Sequence, residues 1–222
     1  MSEFKVFPDD ESLARSAADY LYDRIQDCLA RQALCHVALP GGRTPARCLE
    51  LLAELPLPWE RLHWYLGDER CYPAGHAQRN DTLLREHLWS IIDAPEANRH
   101  PIPAELGPEA AAAAYTGDIQ AIGNLNIVVL GMGEDGHTAS LFPDNAALED
   151  ERLAVPVYDA PKPPAERVSL GITALQAANE RVALVAGSSK REALQRLRDG
   201  EQLPIAQVGP ITWFIDEDAA AN

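Results

Sequence analysis

The chain has 222 residues, 46% hydrophobic and 24% charged, and its 34 acidic against 19 basic residues leave a formal charge of −15. That balance suits a globular protein with its own core and argues against nucleic acid and anionic membrane surfaces as partners. No apolar run approaches the ~18 residues of a membrane-spanning helix, and Met1-Ser-Glu-Phe-Lys-Val lacks the basic-then-apolar order of a signal peptide, so a cytoplasmic location is expected.

Residues 10–33 repeat apolar groups at Leu13, Ala17, Leu21, Ile25 and Leu29, a period near 3.6 that predicts an amphipathic helix. Cys28, Cys35, Cys48 and Cys71 show no CxxC pair or Cys/His metal spacing and read as reduced thiols rather than zinc ligands. Cys35-His-Val-Ala-Leu39 reads as a strand and Pro40-Gly-Gly-Arg-Thr44 as a loop. A helix should follow from Pro45 to about Glu54, with Thr44 as N-cap and Pro45 at the first helical position. The backbone N–H groups of Gly41 and Gly42, the Thr44 hydroxyl and the Arg43 side chain would make this helix start an anion cradle. An ordinary capped helix start has the same pattern. Leu62-His-Trp-Tyr-Leu66 predicts a strand feeding Gly67-Asp68-Glu69-Arg70, whose charges would enter the same cleft or form a solvated turn. His76 and Asn80 come next, either touching a ligand or capping a helix over 79–92; an alanine-rich helix is expected over 108–121.

Residues 127–142 are the most informative stretch. Ile127 to Leu130 is apolar and β-branched without alternation, as in a parallel strand covered on both faces. Gly131, Gly133 and Gly136 follow, and the loop should deliver Asp135 and His137 to the start of a short helical turn, Thr138 to Phe142, closed by Pro143. A carboxylate and an imidazole above a strand's C-terminal end suit acid–base work on a small molecule. Val155-Pro-Val157 and Arg167-Val-Ser-Leu170 predict short strands around Pro161-Lys-Pro-Pro164. Arg181 to Ala186 predicts a strand, Gly187-Ser-Ser189 a loop, and Lys190 to Arg198 a helix ended by Asp199-Gly200. Lys190 in a first helical turn opposes the helix dipole, a mismatch that a bound anion removes. Ile211 to Ile215 predicts a last strand, while His36, His63, His87 and His100, in or beside regular elements, read as structural.

Strand, glycine loop and helix thus recur three times. The fold class expected is α/β, Rossmann-like, a mostly parallel sheet with helices on both faces, in a single domain over 1–222 with its ligand beyond the strand C-termini. The loops fit neither the Walker spacing nor a dinucleotide fingerprint with its ribose acid.

These segments resemble the 6-phosphogluconolactonase family over nearly the whole chain, in order. Pro40-Gly-Gly-Arg-Thr-Pro45 is similar to its phosphate loop, Asp68-Glu-Arg70 with His76 and Arg79-Asn80 to its Asp-Glu-Arg segment, and Gly131 to Pro143 to its central motif throughout. Pro161 to Leu170 and Gly187 to Lys190 resemble its later segments. The resemblance implies hydrolysis of 6-phospho-D-glucono-1,5-lactone to 6-phosphogluconate in the oxidative pentose phosphate pathway, with no metal or organic cofactor. His137 would be general base, Asp135 would orient the imidazole or stabilise imidazolium, and Arg70 would stabilise the oxyanion. Thr44, Lys190 and Arg167 would hold the 6-phosphate, with Gly41, Gly42 and Arg43. Asp68 would touch substrate or brace Arg70. A monomer or weak homodimer is expected. Pro40 and Arg79 both stand where the family pattern has serine. Two rivals remain: a glucosamine-6-phosphate deaminase, which needs a glutamate where Phe142 stands five positions after His137, and a non-catalytic sugar-phosphate sensor, which has no need of Asp135, His137 or Arg70.

Overall fold

In the computed structural model, which describes residues 2–221, strands and helices alternate as expected of an α/β chain. The strands are β1 (Glu3–Phe7), β2 (Cys35–Leu39), β3 (Leu62–Leu66), β4 (Asp68–Arg70), β5 (Arg99–His100), β6 (Ile127–Leu130), β7 (Ala154–Val157), β8 (Arg167–Leu170), β9 (Glu180–Val185) and β10 (Thr212–Asp216). The helices are α1 (Asp10–Leu29), α2 (Arg43–Ala53), α3 (Asn80–Leu84), α4 (Pro108–Ile122), α5 (Ile172–Ala177), α6 (Arg191–Arg198) and α7 (Glu217–Ala220).

The side chain of Asp9 accepts from the Ser12 amide at 2.7 Å and starts α1, whose predicted apolar stripe is buried from Leu13 to Leu29. The helix stops at Leu29 rather than near residue 33. The Gln32 side chain instead reaches the Leu34 carbonyl at 2.6 Å and Asn126 Oδ1 at 2.9 Å, tying the turn to the start of β2.

Seven strands form one sheet in the order β1-β10-β9-β6-β2-β3-β5, and every pairing in it is parallel. From β2 the chain steps outward to β3 and β5, then returns to lay β6 on the other side of β2 and continues through β9 and β10. The connections leaving β2 and β6 therefore run in opposite directions, and the crevice between them is where such sheets bind ligands. All four residues of β6 are buried, so both faces are covered there.

A second sheet, β4-β8-β7, is antiparallel and pairs Asp68 with Ser169, Glu69 with Val168 and Arg70 with Arg167. Gly67 joins the two sheets, donating to the Leu39 carbonyl at 2.9 Å and accepting from the Leu170 amide at 2.8 Å. The sequence reading had residues 67–70 as a loop and missed this pairing, as it missed β1, β5 and α5.

Further boundaries differ from expectation. Gly42, at φ 110°, is the N-cap of α2, so Thr44 sits inside the first turn and not at its cap. The predicted helix over 79–92 divides into α3 and a wider turn of π type at Arg85–Trp89. Thr138 to Phe142 is not a helical turn. Thr138 Oγ1 donates to the Gly131 carbonyl at 2.9 Å, Ala139 takes φ 49°, and Thr138 bridges to Leu141. Ser188–Lys190 form a 3-10 turn, so the α-helix proper starts at Arg191, one residue past Lys190.

Candidate active site

A cleft of about 540 Å³ opens at the ends of β2, β6 and β9, and every predicted site residue except Asp135 lines it. Gly41, Gly42, Arg43 and Thr44 come from the loop after β2, His137 from the loop after β6, and Lys190 from the turn after β9. Asp68, Arg70 and Arg167 come from the small antiparallel sheet.

His137 is held on three sides. Asp135 Oδ1 accepts from its Nδ1 at 2.5 Å and from its backbone amide at 3.1 Å. The Phe142 ring packs 4.5 Å from the imidazole, and a Cβ on Gly133 would run into it. Only glycine leaves room for the ring at 133. With Nδ1 occupied by the carboxylate, Nε2 is the nitrogen free to take a proton. Burial pushes the Asp135 carboxyl up, but the amide and imidazole of His137 outweigh it and hold it below its ordinary value. Asp135 itself lines a neighbouring pocket with Phe142 and Tyr158, so it reaches the cleft through His137.

Three cations, Arg70, Arg167 and Lys190, converge on the cleft. Arg70 and Arg167 face each other across the β4–β8 ladder, and neither forms a salt bridge among the described residues. Arg167 is 6% exposed, with Nη2 donating to the Lys162 carbonyl at 2.8 Å and Nε to the Pro164 carbonyl at 3.2 Å. Its guanidinium lies 5.4 Å from the Phe142 ring centre. Burial pulls its pKa below the ordinary arginine value; the Asp68 carboxylate works the other way and the Arg70 charge adds to the burial. Arginine still keeps its proton, so the charge stays and asks for a counter-charge. Arg70 donates to the Gln78 carbonyl at 2.6 Å, while its Nε is buried with no partner. Burial also lowers the Lys190 pKa, with Glu134 opposing that and Lys162 adding to it. In a chain of net charge −15, this group of cations without salt bridges among the described residues is the telling feature.

Asp68 sits between both loops, accepting from Ser140 Oγ at 2.5 Å and from Asn80 Nδ2 at 3.0 Å. Ser140 is held in turn by Ser169, whose Oγ accepts from its amide at 3.2 Å, and its hydroxyl lies 3.5 Å from Arg167 Nη1. Asn80 packs under the anion loop so closely that any side chain at 41 would strike its Oδ1. The Arg43 side chain is 88% exposed and 3.8 Å from Asp10, which puts it at the rim rather than over the loop.

Sequence reasoning missed Lys162, a cleft residue visible only as part of the Pro-Lys-Pro-Pro motif, and the linking roles of Asn80, Ser140 and Ser169. It also left Arg79 unassigned. That side chain is buried outside the cleft, binding Asp81, Glu105 and the carbonyls of Tyr72 and Ile102. His76 stacks on Tyr72 at 4.1 Å and does not line the cleft. The histidines read as structural pair among themselves or with protein groups: His63 with His100 at 2.9 Å, and His87 with Glu50 at 2.7 Å. Burial first, then its neighbours His63 and His100, pull His36 down to about 4.

The profile of the glucosamine-6-phosphate isomerases/6-phosphogluconolactonase family matches residues 8–214. A 6-phosphogluconolactonase of Homo sapiens is 35% identical, over 97% of this chain and 91% of its own length. One from Mycobacterium leprae is 34% identical over 98% of this chain and 97% of its own. The crystal structure of a 6-phosphogluconolactonase from Thermotoga maritima superposes with a TM-score of 0.92 at 28% identity, covering 98% of this chain and all of that one.

Proposed function

The chain belongs to the family of glucosamine-6-phosphate isomerases and 6-phosphogluconolactonases, and from that premise we propose how it acts. It hydrolyses 6-phospho-D-glucono-1,5-lactone to 6-phospho-D-gluconate, a step of the oxidative pentose phosphate pathway. The observation that carries the mechanism is an Asp135-braced imidazole on the wall of a cleft where Arg70, Arg167 and Lys190 form no salt bridge among the described residues.

Nε2 of His137 takes a proton from water as the water oxygen bonds to the lactone carbonyl carbon. Asp135 keeps the ring in the right tautomer and steadies the imidazolium. Arg70, on the cleft wall, stabilises the oxyanion of the tetrahedral intermediate. Collapse breaks the ring C–O bond, and His137 returns the proton to the departing ring oxygen. The product acid then ionises, releasing one proton per turnover. Thr44, the Gly41 and Gly42 amides, Lys190 and Arg167 hold the 6-phosphate, and that binding orients the carbonyl. Arg43 at the rim and Asp68 between the loops serve the cleft's electrostatics and its shape respectively. Phe142 stands where a deaminase would need a proton-transferring glutamate, which disfavours ring opening and isomerisation of glucosamine 6-phosphate.

Purified protein mixed with fresh lactone should release acid well above the spontaneous rate and release no ammonia from glucosamine 6-phosphate. Ammonia release, or sugar-phosphate binding with no turnover of either compound, would overturn the reading. No helix among the described residues is long and apolar enough to cross a membrane. We place the activity in one cytoplasmic domain acting as a monomer or weak homodimer, which sedimentation checks.

A further inference from the structure

Side chains along β4 alternate: Asp68 and Arg70 line the cleft, while Glu69 between them is fully buried. Glu69 Oε1 accepts from the Arg70 amide at 2.8 Å and the Asn80 amide at 2.7 Å, and Oε2 accepts from the Asp81 amide at 2.8 Å. One carboxylate therefore joins the strand that carries Arg70 to the start of the helix that carries Asn80. Arg79, 2% exposed, stands 3.7 Å away as its counter-charge. The guanidinium is fixed by Asp81 at 2.8 Å, Glu105 at 2.8 Å and the carbonyls of Ile102 at 3.0 Å and Tyr72 at 3.2 Å. Asn80 carries the constraint onward, donating to Asp68 and packing against Gly41 of the anion loop.

We propose that Glu69 and Arg79, a buried ion pair outside the cleft, are positioning residues for the lactone hydrolysis, fixing Arg70 and Asn80 by anchoring the backbone from which both project. This rests on the hydrolase reading above. A buried ion pair is a poor way to gain stability, since an apolar pair of similar volume often does as well or better. An apolar pair here would leave three amides without acceptors and free β4 to shift against α3, and small misplacements at a reacting centre are costly. Burial pushes the Glu69 carboxyl up to about 7 although three amides pull it down. The pair thus maintains geometry at the expense of an easily ionised site.

Two measurements on the full chain test it. In a pH titration followed by amide NMR, the Arg70, Asn80 and Asp81 resonances should move together with one midpoint near 7, and Gly41 should follow. The titratable and charged groups facing Glu69 are Cys71 of its own segment, Arg79 and Asp81 at the start of α3, and Tyr115 of α4, while Arg70 offers it only its amide. Cys71, pushed up to about 11, and Tyr115, raised by full burial, keep their protons there. Kinetically, Glu69→Gln should lower kcat about tenfold or more while KM stays within about threefold, because substrate still finds its phosphate loops. Arg79→Lys should keep more of kcat than Arg79→Met, and Glu105→Gln, which removes only the outer, part-exposed partner, should cost less than Glu69→Gln. Separate titration of the three amides, or a wild-type kcat in Glu69→Gln, overturns the brace. The titration needs no variant and no turnover. It tests the anchoring by Glu69 even if Glu69→Gln does not fold, the split between kcat and KM across the Arg79 variants tests the positioning, and absence of lactone turnover in the wild type sinks the hydrolase reading separately.

Discussion

The parallel sheet and the small antiparallel sheet contribute to the cleft in different ways. From the parallel sheet come loops: amides at Gly41 and Gly42, the imidazole of His137 and the ammonium of Lys190, each just past a strand end and shaped by glycine. From the antiparallel sheet come side chains on strands, Asp68, Arg70 and Arg167, whose spacing is set by the ladder that pairs residue 70 with 167. Like charges opposed across a ladder are unfavourable by themselves. Here the ladder holds two arginines together beside a cleft in an acidic protein, a concentration of positive charge that flexible loops would let spread. On the proposed mechanism the parallel sheet positions the reacting group, and the small sheet supplies the field around it.

That division predicts a ranking of losses. His137→Ala should cost the most, about 10²–10⁴-fold in kcat, the usual worth of a positioned general base, with product binding retained in a calorimetric titration. Arg70→Gln follows at about 10²-fold in kcat with a smaller change in KM, as for removal of an oxyanion donor; steady-state acid release separates the two constants. If it raised KM alone, the small sheet would only bind, and the division as stated would fail. Gly133→Ala should lower kcat by about tenfold at nearly unchanged melting temperature, because the added methyl displaces the imidazole and leaves the phosphate groups alone. Lys190→Gln should raise KM by about tenfold and leave kcat, while Arg43→Gln at the rim should change either by less than about twofold.

The smallest expected effect lies away from the cleft. His36 on β2 packs with His63 and Tyr65, and burial, with the charges of His63 and His100, lowers its pKa from 6.5 to about 4. Its folded form resists the proton that the unfolded chain accepts, so stability is whole above pH 6.5 and is lost as pH falls toward 4. The loss should be of order 1–3 kcal/mol at pH 4 after allowing for partial exposure, seen as a falling melting temperature. His36→Gln should flatten that dependence without touching kcat at neutral pH. A kcat loss there would mean that this part of the parallel sheet is coupled to the chemistry.

Much of the first region was legible in the chain, and little of the second. Ile127 to Leu130, the glycines after it and the Asp135/His137 pair are local signals: an unalternating apolar run, closely spaced glycines of which Gly136 alone takes positive φ, and two polar groups a residue apart. The loop after β2 was legible for the same reason, although its cap proved to be Gly42 and not Thr44. Residues 68–70 carry no strand signal because all three are charged; they are a strand only because 167–169 lie beside them, a partner nearly a hundred residues on. The turn at 138–142 likewise follows from Ser140 reaching Asp68, 72 positions away, against a local preference for a helical start. Arg79 and Glu69 look like surface charges in sequence and become buried only when α3 closes over β4. Local periodicity and turn chemistry therefore set the α/β order, the position of the glycine loops and the Asp135–His137 pair. Long-range pairing alone decided which charges meet and which of them stay unpartnered, because contact energies between distant segments leave no trace in the spacing of neighbours.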